Sequence, residues 1–187
     1  VPQLSRRSFL ATVGGSAAAI WFTAEAKDLI AAGAHAAQSA RPPFQVLSAA
    51  DALDLEAATS QIMPTDDTPG AREARVVYFI DKSLATFAAD QRDTFSKGVQ
   101  ELRARAAKQQ RGAKSFAALS DANQHAVLDA MQKAKHPFFT ALRNATLAGM
   151  FANPEYGGNF EKTGWKLIGF NDQFSWAAPF GWYDRNA

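Results

Sequence analysis

The chain has 187 residues, 47% hydrophobic and 20% charged, with 20 Lys+Arg against 18 Asp+Glu for a formal charge of +2. That is the composition of an ordinary globular domain; it excludes a disordered or collagen-like chain and supplies no strong field for a nucleic-acid partner. With no cysteine, disulfides, thiolate zinc sites, iron–sulfur clusters, covalent haem and a thiol nucleophile are excluded together, and three histidines (His35, His125, His136) are too few for a His-rich metal site.

The first element is a signal-like segment, residues 1–36. Ser5, Arg6, Arg7, Phe9 and Leu10 place two adjacent arginines directly before the uncharged, Ala- and Gly-rich run 8–24, and small-residue sites follow at Ala24-Glu25-Ala26 and Ala34-His35-Ala36. Basic, apolar and cleavable stretches in that order form an export signal, here with the twin-arginine pattern read by the twin-arginine translocase. The apolar run lacks a polar stripe, which argues against an ordinary surface helix. As a helix it spans roughly 25 Å, less than the ~30 Å hydrocarbon core, so it is a marginal inner-membrane anchor.

Residues 37–46, with Arg41-Pro42-Pro43, read as an extended linker. A helical domain, 47–152, is expected to follow. Ser48 and Asp51 have the spacing of an N-cap and acidic first turn, and Leu55, Ala58 and Ile62 then share a face until Met63-Pro64 ends the helix. Pro64–Gly70 reads as a loop. A second helix is expected from Ala71, burying Val76, Ile80, Leu84 and Phe87. A third, capped by Asp90, buries Phe95, Val99, Leu102 and Ala106 and turns Arg103, Arg105, Lys108 and Arg111 to water. Ser120 begins a fourth with Gln124, Leu128 and Met131, and Pro137 opens a fifth with Phe138, Leu142, Ala145 and Gly149 along one side. No stretch before residue 150 alternates with period two. The expected fold is all-α: a small bundle of about five helices, with an N-terminal signal or anchor helix and an irregular C-terminal tail.

That tail, 153–187, opens on the turn residues Asn153-Pro154-Glu155-Tyr156-Gly157-Gly158-Asn159 and carries Trp165, Phe170, Phe174, Trp176, Phe180, Trp182 and Tyr183. Exposed aromatic area of that size marks a partner interface; the alternative is a strap over the bundle's own core. Chemistry is harder to find. Asp66 and Asp67 are neighbours and neighbours rarely point into one site, His125 and His136 read as surface or capping residues, and no G-x-S-x-G frames a serine. No catalytic, metal or cofactor-binding residue is expected on this chain.

The loop Pro64–Ala71, the run Tyr78-Phe79-Ile80-Asp81, and above all Pro154-Glu155-Tyr156-Gly157-Gly158-Asn159 with Gly164-Trp165 and Gly169-Phe170 resemble the gluconate 2-dehydrogenase subunit 3 family, over about Ser48 to Asn171. The resemblance implies a small subunit of a periplasm-facing dehydrogenase that oxidises sugars, sugar acids or polyols. It further implies a large FAD-containing subunit of the glucose–methanol–choline type and a c-type cytochrome subunit carrying haem c, and it supplies no catalytic residue on this chain. Tyr156, Gly157, Gly158, Asn159, Trp165, Phe170, Phe174, Trp176, Phe180, Trp182 and Tyr183 are the expected partner-interface residues. Two other readings remain: a transient export chaperone for the flavoprotein, and an enzyme in its own right around His125, Asp66 and Asp67.

Overall fold

The computed structural model describes residues 41–173 and Ser175; the expected signal residues Ser5, Arg6, Arg7, Phe9 and Leu10, the run 8–24, and Phe174, Trp176, Phe180, Trp182 and Tyr183 lie outside them. A unit boundary falls after Pro43. Among the described residues the fold is all-helical, with six α-helices and no strand: α1 Ala49–Ile62, α2 Val76–Ala85, α3 Arg92–Gln109, α4 Asp121–Lys133, α5 Pro137–Phe151 and the short α6 Thr163–Leu167. None of these helices is long and apolar enough to cross a membrane.

The helices start where the side chains can satisfy their first amides. Ser48 Oγ accepts from Asp51 N–H at 3.1 Å, Ser120 Oγ from Asn123 N–H at 3.4 Å, and His136 Nδ1 from Phe138 N–H at 3.3 Å just ahead of Pro137; each occupies one of the orphan donors of a first turn. Their apolar stripes then meet in one core. Leu55, Ala58, Val76, Ile80, Leu84, Val99, Leu102, Met131, Leu142 and Met150 are all but excluded from water, each large side chain contributing about 1.5–3 kcal/mol on transfer. Phe95 of α3 meets Phe138 of α5 edge-on, with centroids 5.7 Å apart, a geometry that brings a positive ring edge to a negative face.

Four local expectations need correction. The second helix starts at Val76 rather than Ala71, because residues 71–75 form turns that end with Arg75 at φ 55°, a left-handed conformation that breaks helical propagation. Its far end is at Ala85, so Phe87 falls outside the helical register that would have buried it and stands 63% exposed. Asp90 does not cap α3; it sits in a short 3-10 turn, Ala89–Gln91, and Gln91 takes the N-cap position without a side-chain bond. Arg103 is not on a wet face: its Nε donates to Asp54 Oδ2 at 2.7 Å, and Nη2 lies 2.7 Å from Asp51 Oδ1.

That last contact ties the bundle together. Asp54 is completely buried, and its second oxygen accepts from Ala117 N–H at 2.9 Å, so one carboxylate joins α1, α3 and the loop before α4. Burial alone would lower the Arg103 pKa, but the two carboxylates hold it above its ordinary value. Removing one member would strand the other's charge in a water-poor site. A second carboxylate does the same for the N-terminal strap: buried Asp81 of α2 accepts from the main-chain N–H groups of Gln45 at 2.7 Å and of Val46 and Leu47, both at 2.9 Å. Phe44 stacks on Tyr78 with centroids 4.8 Å apart. The chain entering from residue 43 is therefore fixed to α2 before α1 begins.

Candidate functional site

The C-terminal element, residues 153–172, has almost no helical periodicity and holds together by another logic. Asn153 Oδ1 accepts from Glu155 N–H at 3.1 Å and opens a 3-10 turn, Pro154–Tyr156. Gly157 follows at φ 98°, where a Cβ would also lie 3.0 Å from the Tyr78 carbonyl oxygen, so glycine is required both by conformation and by space. A Cβ on Gly158 would collide with the Gly149 carbonyl oxygen, and one on Gly164 with that of Met150. Those two glycines let the returning chain lie directly on the last turns of α5.

Asn159 is the pin between them. It is 0% exposed and left-handed at φ 44°, a conformation asparagine tolerates better than most residues. Its main-chain N–H donates to Gly149 O at 2.7 Å, its side-chain amide donates to Ala152 O at 2.9 Å, and its Oδ1 accepts from Gly164 N–H at 2.8 Å. Trp165 adds an indole N–H donated to Phe151 O at 2.7 Å. Three carbonyls at the end of α5, which have no further helical turn to bond, are thereby satisfied by one short segment. On the other flank Phe160 N–H donates to Ala74 O at 3.1 Å, and the Arg75 guanidinium lies 3.5 Å from the Phe160 ring centroid, a cation–π contact. Lys162 pairs with Asp172 at 2.7 Å.

This geometry sorts the expected interface residues. Gly158 and Asn159 are interior, and Gly157 and Trp165 are half-buried and engaged within the chain. Tyr156 and Phe170 face outward, 47% and 48% exposed, with Phe170 edge-on to Trp165 at 5.1 Å. Phe87, which periodicity assigns to the core, lies edge-on to Tyr156 with centroids 5.9 Å apart. The sequence signal for it is positional: Phe87 follows the last helical turn of α2, where the i, i+3 rule no longer places side chains.

The groups read as possible chemistry form no shared pocket lining. Asp66 accepts from Thr68 N–H at 2.8 Å and from its hydroxyl at 2.9 Å, and these bonds lower its pKa. In the same loop, burial would raise the Glu73 pKa, but bonds from Thr65 Oγ1 at 2.6 Å and Gly70 N–H at 2.8 Å outweigh it and leave it lowered. Both carboxylates serve the loop as acceptors. His125 is exposed on α4 and lines a groove of about 220 Å³ with Gln61, Ile62, Asp129, Phe139 and Arg143; neither Asp66 nor Asp67 lines it. His136 is the α5 cap described above. No group of three or more His, Asp or Glu side chains able to hold a metal ion occurs among the described residues.

The gluconate 2-dehydrogenase subunit 3 family model matches residues 49–172, which takes in all six helices and the Asn159 clasp. No curated protein and no solved structure matches the chain. The match covers more than half of the 187 residues, so the chain belongs to the gluconate 2-dehydrogenase subunit 3 family, and that membership implies a subunit of a dehydrogenase complex.

Proposed function

We propose that the chain is the accessory subunit of a membrane-associated, periplasm-facing dehydrogenase of the glucose–methanol–choline type, whose large subunit carries FAD and oxidises a sugar, sugar acid or polyol. In this reading the small subunit escorts the folded flavoprotein through the twin-arginine route and then stabilises the complex, which passes electrons to a c-type cytochrome subunit. The observation that carries it is the family match over 49–172 on a chain that also bears Arg6-Arg7 ahead of an apolar run. The described residues contribute a rigid helical body with outward aromatic side chains, the properties of a binding partner.

The test is an export and recovery experiment. Arg6→Lys with Arg7→Lys is expected to leave both this chain and the flavoprotein in the cytoplasm, whereas the unaltered pair reaches the periplasm and purifies together at fixed stoichiometry. Periplasmic dehydrogenase activity at the normal level in the double variant overturns the escort role; recovery of the flavoprotein free of this chain after export makes it a transient chaperone.

A further inference from the structure

We propose that the groove lined by the end of α1 and by α4 and α5 binds a small organic acid: a carboxylate held by Arg143, on a short apolar body that carries a hydroxyl group. The groove measures about 220 Å³, below the ~300–1,000 Å³ of sites for drug-sized ligands. Its occupant is therefore of small-metabolite size. The proposal concerns this chain alone and stands apart from the accessory-subunit reading.

The lining is built before any ligand arrives. Its apolar part takes one side chain from each helix: Ile62 of α1 and Phe139 of α5, both half-buried, and Leu128 of α4, which belongs to the core. Gln61 is positioned as well. Its Nε2 donates to Gln124 Oε1 at 3.1 Å, and Gln124 is buried and donates in turn to Leu119 O at 3.1 Å. A side chain already ordered in this way loses little entropy on binding.

The charged lining sets the sign of the ligand. It consists of Asp129 and Arg143. Asp129 is neutralised by a direct ion pair, with Oδ2 2.7 Å from Lys133 Nζ. Arg143 has no counterpart: its guanidinium makes no hydrogen bond or ion pair within the chain, and the same is true of His125 and Gln132 beside it. One positive charge is left over, on the group that takes a carboxylate through two parallel N–H bonds. His125, Gln61 and Gln132 offer both donors and acceptors, which suits a hydroxyl. A few polar groups on an apolar lining is the composition of a small-molecule site.

The experiment titrates the isotope-labelled full chain, followed by nuclear magnetic resonance, with 3-phenyllactate, with its uncharged amide 3-phenyllactamide, and with lactate, which lacks the ring. 3-Phenyllactate is expected to shift the side-chain signals of Gln61, His125 and Gln132 saturably, with a Kd on the order of 1 mM, the scale for about twelve heavy atoms. The amide and lactate are expected to bind about fivefold or more weakly. Arg143→Gln is expected to bring 3-phenyllactate down to the level of its amide while binding of the amide itself is unchanged; a purely structural role for Arg143 would weaken both. The absence of saturable shifts at these signals overturns the proposal. So does lactate binding as tightly as 3-phenyllactate, which reduces the site to an adventitious ion only, and so does equal binding of acid and amide by the unaltered chain. No flavoprotein enters the measurement, so its failure leaves the accessory-subunit reading standing.

Discussion

The helical body and the C-terminal element are built on different principles. In α1 to α5 the chain is held by area: apolar side chains recur at helical spacing, and their burial fixes which face turns inward. In 153–172 it is held by fit: glycines admit close backbone contact, and Asn159 supplies bonds that α5 cannot make for itself. A stripe of Leu and Val tolerates many substitutions of similar volume. A clasp of this kind does not, because a single methyl group or a single missing amide separates the two surfaces.

The largest expected effect is at the pin. Asn159→Ala leaves the Gly164 N–H and the Ala152 carbonyl without their partner, at about 2 kcal/mol each. The loss is local: amides in 159–168 should lose hydrogen-exchange protection while those of α1 to α5 keep theirs. Simultaneous loss of protection throughout the body would show that the two regions are one cooperative unit.

Arg103→Met does the converse. It strands the Asp54 carboxylate in the interior and is expected to cost about 3 kcal/mol, read as a lower midpoint in urea for the whole body. A mild effect confined to the clasp would contradict the keystone role given to this pair. Next in size is Gly164→Ala, at about 2 kcal/mol, since the new methyl group must push the segment off the Met150 carbonyl. Limited proteolysis after residue 152, faster than in the unaltered chain, is the check.

The smallest effect lies in the loop before α2. Asp66 and Glu73 have folded-state pKa values below their ordinary ones of 3.8 and 4.5. Carboxylates depressed in this way give a contribution that is complete above the ordinary values and is lost as pH falls through the lowered ones. Glu73→Gln should therefore lower stability at pH 7, where the contribution is complete, and flatten the profile below about pH 4.5, where it is lost. An effect larger in acid than at neutral pH would contradict the assignment.

Much of the body was legible in the sequence. Phe95, Val99, Leu102 and Ala106 line α3's inner face, and Ser48, Ser120 and Pro137 mark helix starts, because period and capping are local properties. Arg103 was not, since its partners sit 49 and 52 positions earlier; Asp51 and Asp54, three apart on the core side of α1, were the available hint. The spacing that predicts a buried Phe87 ends with the helix at Ala85. In the C-terminal element the residues Tyr156–Asn159, Gly164 and Trp165 stood out, but their division into inward pins and an outward ring depends on how the chain returns to α5, which no periodicity encodes. α6, five residues long, is too short to show a face.

The clasp of residues 153–172 on α5 is internal, made within this chain alone. Amide hydrogen exchange on the isolated subunit and on the assembled complex tests it most directly. The expected result is that the Asn159 and Gly164 amides are already protected in the isolated chain and that assembly leaves that protection unchanged. Asn159 and Gly164 amides that exchange freely until the flavoprotein binds would contradict it.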